Sequence, residues 1–136
     1  FIVPVDAIVA DDVNAQAQTL DLPLEDIEGD MKILDIGSLT QKKYADIIKR
    51  SKTIVWNGPM GVFEYPPFAG GTKALAKALA SRKGKAKVYL GGGDTLDALQ
   101  KFGISHSKFT HVSTGGGAML EFLEGKVLPG IRILMK

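Results

Sequence analysis

Two runs of three glycines are the residues of this sequence whose types and spacing could do chemistry. Gly91–Gly93 is followed by Asp94 and Thr95, and Gly115–Gly117 is preceded by Ser113 and Thr114. Each run follows a short apolar stretch and leads into a helical pattern. Glycine lets backbone N–H groups approach an anion closely, and the start of a helix offers unpaired N–H groups and a positive dipole end. The pattern indicates phosphate binding, and two parallel strands would bring both loops to one crevice.

Asp94 extends this chemistry to a metal. At a helix start its carboxylate could hold a hard cation bridging phosphate oxygens, while Thr95 and the N–H groups hold the phosphates, as in a magnesium nucleotide site. Plain helix capping, worth about 1 kcal/mol without any ligand, explains Asp or Thr there equally well. Three glycines favour the ligand, because each costs roughly 0.5 to 1 kcal/mol relative to alanine.

The two common nucleotide motifs are absent. Neither glycine run ends in the Lys and Ser/Thr of a Walker loop. A dinucleotide fingerprint needs a third glycine where this chain has Leu96 or Leu120, and an acidic residue where it has His111.

A third candidate site is the stretch from Trp56 to Glu64. Asn57 opens a Gly/Pro turn, Val62 and Phe63 could contact a flat ring, and Glu64 could accept from sugar hydroxyls. A connecting loop with a solvated glutamate is the alternative, and composition alone favours it.

Strand and helix patterns alternate along the chain and predict how these loops are positioned. They predict an α/β fold with a Rossmann-like doubly wound parallel sheet, three layers deep, forming part of a domain. A weaker extended stretch covers Thr19 to Ile27. The predicted strands are Val5–Ala10, Thr53–Trp56, Lys87–Leu90 and Phe109–Ser113, and the predicted helices are Ser38 (as the cap) to about Arg50, one from about Pro67, Asp94–Phe102 and Gly115–Leu123.

Composition bounds the class of protein. The chain has 136 residues, 45% hydrophobic and 24% charged, with a net charge of +2 and no cysteine, which is typical of a soluble domain in a reducing compartment. No apolar stretch approaches the roughly 20 residues that a bilayer requires. The basic cluster Arg82–Lys87 lacks neighbouring aromatic residues, which favours a surface turn over a nucleic-acid site. No signal-peptide pattern follows Phe1, and we expect the chain to be a fragment.

Four segments in order resemble the nucleotide-binding, C-terminal domain of the phosphoglycerate kinase family. VPVDAIVAD and LDIG extend the resemblance over nearly the whole chain, corresponding to about the last third of the family's sequence. The four segments are TIVWNGPMGVFE, FAGGTKALA, GGGDT, and HVSTGGGA followed by LEFLEGKVLPG. The resemblance implies that residues 1–136 are the C-terminal part of that domain and that the family's N-terminal substrate domain is absent.

The resemblance also implies an activity and a set of site residues. The family transfers a phosphoryl group between 1,3-bisphosphoglycerate and ADP with Mg²⁺, giving 3-phosphoglycerate and ATP in glycolysis. The implied roles are adenosine contacts for Leu34 and Val62, ribose binding for Glu64, phosphate contacts for Asn57, Gly92, Gly93 and Thr95, magnesium ligation for Asp94, and contacts to the transferring phosphoryl for Gly93, Gly115, Gly116 and Gly117.

Part of the implied site lies outside this chain. The catalytic arginine, the phosphoglycerate-binding domain and the lysine that contacts the nucleotide phosphates are missing, so we expect the isolated chain to be inactive. Ser38 stands where the family commonly has proline. A cytoplasmic monomer without nucleic-acid or membrane partners is expected. Another α/β nucleotide-binding enzyme, such as a dehydrogenase, and a non-catalytic domain remain the alternatives.

Overall fold

The computed structural model describes residues 1–134 and contains two three-stranded sheets. One is antiparallel and lies in the first 36 residues, and the other is parallel and flanked by helices. Short 3-10 turns occur at Leu24–Asp26, Pro66–Phe68 and His106–Lys108. The strands are β1 (Asp6–Ala10), β2 (Leu20–Pro23), β3 (Lys32–Ile36), β4 (Thr53–Asn57), β5 (Lys87–Gly91) and β6 (His111–Ser113), and the helices are α1 (Ser38–Arg50), α2 (Gly70–Ala80), α3 (Gly93–Lys101), α4 (Gly116–Leu123) and α5 (Pro129–Leu134).

The parallel sheet has the order β4-β5-β6 and helices on both faces. Side chains alternate between the faces of a strand, and one face carries Trp56 and Leu90, which pack with residues of α1, α2 and α3. The opposite face carries Val55 and Tyr89, which line a cavity together with Met119 of α4. This arrangement confirms the predicted α/β class and its three layers.

Trp56, the single tryptophan of the chain, lies in the core of this sheet. Its side chain is buried among Ile48, Leu75 and Leu79. Among residues 1–134, its indole N–H has no hydrogen-bond partner. The apolar surroundings of the ring explain why the sequence forms a buried strand here.

The antiparallel sheet differs from the expectation of a single parallel sheet. The predicted first strand is found at Asp6–Ala10, but it pairs antiparallel with β2 on one side and β3 on the other. The weak extended stretch appears as Leu20–Pro23 followed by a 3-10 turn. The β3 strand has no counterpart among the predicted strands, because pairing direction depends on distant partners and leaves no local signal.

Helix α1 is capped by carboxylates that are remote in sequence and not by Ser38, which was predicted as the cap. The Asp6 side chain accepts from the backbone N–H groups of Leu39 at 2.7 Å and Thr40 at 2.8 Å. Asp21 accepts from the Ser38 N–H at 3.1 Å. Burial acts to raise the pKa of Asp6, but the hydrogen bonds from the Thr40 hydroxyl and from both N–H groups outweigh it, and the pKa is lowered.

No helix within the described part of the chain is both long and apolar enough to cross a membrane.

Candidate functional site

The carboxyl edge of the parallel sheet brings three candidate segments together. Asn57, Gly91 and Ser113 are the last residues of β4, β5 and β6 and lie side by side in the strand register. Directly beyond the sheet, the Gly92 N–H donates to the Ser113 carbonyl at 3.2 Å. Helices α3 and α4 both begin at this edge. The predicted meeting of the two glycine runs is therefore found in the structure.

Close packing explains why some of these positions must be glycine. A Cβ on Gly116 would lie 2.7 Å from the Gly92 backbone and 2.5 Å from Asn57 Oδ1. Gly92 has a φ of +97° and faces the same Asn57 oxygen, a conformation that glycine adopts without strain. A Cβ on Gly91 would lie 2.3 Å from Met119 Cε. Gly92 and Gly116 thus bring the two loops and Asn57 into contact, whereas the contact at Gly91 is with the flexible end of the Met119 side chain.

The remaining glycines of the two runs face open space. No heavy atom lies within 4 Å of a Cβ built on Gly93 or Gly117, and Gly115 has only ordinary contacts. Gly93 and Gly117 lie in the first turns of α3 and α4, where backbone N–H groups have no partner within the helix. The packing of the chain therefore does not account for glycine at these positions, whereas the approach of an anion does.

Asp94 and Thr95 lie in the same first turn of α3 but face different surroundings. Asp94 is exposed beside the open glycines. Thr95 is fully buried, and its hydroxyl accepts from the Gly58 N–H at 2.8 Å. The side chain of Thr95 therefore anchors the neighbouring loop through the Gly58 N–H. Its backbone N–H lies in the first turn of α3.

The third segment, which we call the Asn57–Glu64 loop, is fixed through its backbone. The Thr72 hydroxyl accepts from the N–H groups of Met60 at 3.1 Å and Gly61 at 3.4 Å. The Val62 N–H donates to the Leu34 carbonyl at 2.9 Å. These donors, together with the Gly58 N–H, are therefore paired within the chain and are not available to a ligand.

Asp35 lies beneath the loop and links it to α2. Its buried carboxylate accepts from the Gly71 N–H at 2.6 Å and the Ile36 N–H at 2.8 Å. A Cβ on Gly61 or Gly71 would fall within 2.5 Å of this carboxylate, so both backbones pack directly against it. Burial raises the pKa of Asp35, although the bonds from Gly71 and Ile36 act in the opposite direction.

A cavity of about 570 Å³ lies beside the loop and is lined by Leu34 and Val62 among others. Its size falls in the range of small-molecule sites, and its walls are largely apolar. Glu64 is not one of the lining residues. Its side chain is exposed, and its carbonyl accepts from Lys101 Nζ at 2.6 Å. The structure thus places Leu34 with Val62, and Asn57 with the glycine loops, at the two ends of one loop.

The groups at the carboxyl edge of the sheet fit a magnesium ion that is already bound to a nucleotide, and they do not fit a free ion. Within residues 1–134 no three His, Cys, Asp or Glu side chains are grouped to hold a metal. Asp94 supplies one carboxylate next to open helix N-termini. Mg²⁺ is commonly held by one or two carboxylates together with substrate phosphates, and this edge offers that combination.

Thr72 and Asp35 were not among the candidate site residues found in the sequence. Asp35 falls in the LDIG segment and Thr72 in FAGGTKALA, but neither stands at a helix cap or a turn that marks a ligand. Their signal is long-range, because each acts on a loop that lies elsewhere in the sequence.

Comparison with known proteins identifies a family. The family model for phosphoglycerate kinase matches residues 1–126. The phosphoglycerate kinase of Herpetosiphon aurantiacus is 49% identical over 134 residues, which are 98% of this chain and 33% of that protein. The chain therefore spans about a third of the length of the curated relative.

Solved structures give the same result. The phosphoglycerate kinase from Coxiella burnetii superposes with a TM-score of 0.89 at 47% identity, covering 98% of this chain and 34% of that one. The phosphoglycerate kinase from Pyrococcus horikoshii OT3 superposes with a TM-score of 0.78 at 41% identity, covering 97% of this chain and 32% of that one.

Proposed function

This chain belongs to the phosphoglycerate kinase family, and we propose that it forms part of an enzyme transferring a phosphoryl group between 1,3-bisphosphoglycerate and ADP. We assign residues 1–136 to the C-terminal part of the nucleotide-binding domain, with the phosphoglycerate held by a domain outside this chain. The observation that supports the proposal best is the contact of Gly116 with Gly92 and Asn57, which directs two helix N-termini to one point.

In the proposed site the nucleotide lies across the Asn57–Glu64 loop. Leu34 and Val62 contact the adenosine in the apolar cavity, and Glu64 accepts from the ribose hydroxyls. Asn57 and the backbone N–H groups of Gly93 and Thr95 contact the phosphates. Gly92, whose N–H is paired with the Ser113 carbonyl, contacts the phosphates through a backbone that carries no side chain. The N–H groups of the first turn of α4 are oriented towards the transferring phosphoryl, and they stabilise the charge that it carries.

Asp94 is the proposed magnesium ligand. This carboxylate would hold Mg²⁺, which when bound would neutralise part of the charge on the phosphates. Phosphoryl transfer depends mainly on positioning and charge stabilisation, with little covalent chemistry for the protein to do. The backbone dipoles of α3 and α4 supply charge stabilisation. The substrate domain supplies much of the positioning.

The remaining assignments follow from the proposed reaction. It is a step of glycolysis, so we place the enzyme in the cytoplasm as a monomer that binds nucleotide and phosphoglycerate. We propose no nucleic-acid partner and no membrane partner for it.

A coupled assay of ATP formation tests the activity in the full-length enzyme. We expect turnover that requires ADP, Mg²⁺ and 1,3-bisphosphoglycerate together. The alternatives are a different nucleotide-binding enzyme and a non-catalytic domain. Calorimetric titration with ADP and NAD separates them, because a dehydrogenase would prefer NAD and a non-catalytic partner domain would bind neither.

A further inference from the structure

We propose that Thr72 is a positioning residue of the nucleotide site, and this inference rests on the proposed function. Thr72 lies outside the glycine runs in sequence and is fully buried in α2. Its hydroxyl accepts from two consecutive N–H groups of the Asn57–Glu64 loop, those of Met60 and Gly61. Val62, the proposed adenosine contact, follows directly.

The loop depends on this hydroxyl because its other anchors lie at its two ends. Thr95 holds Gly58 at one end and the Leu34 carbonyl holds Val62 at the other. Pro59 has no N–H to donate. Without the Thr72 hydroxyl, two adjacent partly buried N–H groups in the middle of the loop would lose their acceptor. Unpaired N–H groups are costly, so we expect the loop backbone to move until they reach water or another acceptor.

Asp35 makes Thr72 a precise anchor. Its carboxylate accepts from the Gly71 N–H, the residue before Thr72, while Gly61 packs against the same carboxylate. The Asp35 carboxylate thus contacts both the first turn of α2 and the middle of the loop, and it fixes their relative position. A change at Thr72 is expected to move Val62 and Glu64 together, relative to the glycine loops.

The expected consequence is selective. Val62 and Glu64 serve the nucleoside end of the nucleotide, whereas Gly93 and the first turn of α4 serve the phosphates. Loss of the Thr72 hydroxyl should therefore weaken ADP binding, leave the binding of a phosphate-only ligand unchanged, and leave turnover at saturating ADP largely intact.

Thr40 provides a matched control. It is equally buried, and its hydroxyl also accepts from two consecutive N–H groups, those of Val5 at 3.0 Å and Asp6 at 3.4 Å. These bonds, together with the one that the Thr40 hydroxyl donates to the Asp6 carboxylate, join α1 to the start of β1, and none of them is made to the Asn57–Glu64 loop. Thr40→Val thus removes a buried hydroxyl that accepts from two N–H groups without removing a hydrogen bond to the loop.

The test compares Thr72→Val, Thr72→Ser, Thr40→Val and the unmodified enzyme, all in the full-length enzyme. For Thr72→Val we expect the Kd and KM for ADP to rise about tenfold or more while kcat changes by less than about threefold. Affinity for tripolyphosphate should be unchanged, and Thr72→Ser should restore ADP binding. Thr40→Val should lower the midpoint of thermal unfolding and leave the ADP Kd within about twofold of the unmodified enzyme.

Equal effects of Thr72→Val and Thr40→Val on ADP binding would overturn the inference, as would a parallel loss of tripolyphosphate affinity. The Thr72→Ala and Thr40→Ala pair repeats the comparison if valine prevents folding. Failure of the proposed function is a separate result, because the unmodified enzyme would then form no ATP from 1,3-bisphosphoglycerate.

Discussion

At the residue scale, the six glycines of the two runs divide into those that pack and those that stand open. Gly92 is required by its positive φ and Gly116 by backbone contacts, a Cβ on Gly91 would mainly meet the flexible end of the Met119 side chain, and Gly93 and Gly117 have no neighbour for a Cβ to meet. Sequence alone cannot separate the two groups, since all six look alike. The structure therefore identifies which glycines can be changed to test ligand binding without disturbing the fold.

Changing Gly117 to alanine should separate stability from activity. Alanine favours the helix by about 0.5 to 1 kcal/mol over glycine, so we expect an unchanged or slightly raised unfolding midpoint. The new methyl group obstructs the approach of phosphoryl oxygens to the N–H groups of α4, and kcat should fall about tenfold or more.

Gly130→Ala is the control for Gly117→Ala, because Gly130 is likewise the second residue of a helix and has open surroundings. It should leave kcat unchanged. Full activity of the Gly117→Ala enzyme would remove α4 from the proposed site.

Replacing Asp94 by asparagine tests the proposed metal ligand. A neutral amide loses the charge attraction to a hard cation, so kcat/KM for magnesium ADP should fall on the order of 10- to 100-fold. Titration of activity with Mg²⁺ measures the effect, which should appear as a higher metal requirement. Asp97→Asn, one turn along the same exposed side of α3, provides the control. An unchanged magnesium requirement in the Asp94 variant would contradict the assignment.

At the element scale, the strands and helices of the parallel half were predictable, whereas in the antiparallel half β1 and the extended stretch at β2 were predictable but β3 and the pairing direction were not. Lys87–Leu90 was predicted as a strand and is found as Lys87–Gly91, and the helix predicted at Asp94–Phe102 is found as Gly93–Lys101. Apolar runs and glycine boundaries are local signals, and they carried these predictions. The pairing of β1 with β2 and β3 is set by residues far apart in the chain, and so is the acceptor that Thr72 offers to the loop.

The cap of α1 is an element-scale feature with a pH dependence. The lowered pKa of Asp6 means that its hydrogen bonds stabilise the fold fully above the ordinary value of 3.8 and are lost as pH falls through the lower folded pKa. We expect Asp6→Asn to reduce the free energy of unfolding at neutral pH by about 1 to 3 kcal/mol. The loss of stability on acidification should also become shallower.

Urea unfolding of the full-length enzyme at neutral pH and at stepwise lower pH measures both effects. Asp11→Asn changes an exposed carboxylate just after the same strand and should have little effect on stability. Equal stability of the Asp6 and Asp11 variants would show that α1 does not depend on this cap.

At the scale of the whole molecule, the proposed site is only partly contained in this chain. Its open glycine loops contain no lysine or arginine, and nothing in the proposed site holds the phosphoglycerate. Each exposed helix terminus contributes only about 0.3 to 1 kcal/mol toward an anion. Orientation of the second substrate, worth up to roughly 7 to 11 kcal/mol in well-aligned reactions, must come from outside the chain.

We therefore expect the purified 136-residue chain to form no ATP from 1,3-bisphosphoglycerate and ADP with Mg²⁺. A coupled assay measures this, with an Asp94→Asn chain prepared in parallel to reveal contaminating enzyme, and circular dichroism reports whether the chain is folded. Turnover above that background would contradict the proposal that a lysine, an arginine and a substrate domain outside this chain are needed.

The buried indole of Trp56 gives this chain an optical signal of its own. The ring lies one residue before Asn57, in apolar surroundings and without a hydrogen-bond partner among the described residues. An indole in that state fluoresces at shorter wavelength than one in water. Because Met60 of the Asn57–Glu64 loop packs against the same cluster, we expect a displacement of that loop to shift the emission of Trp56.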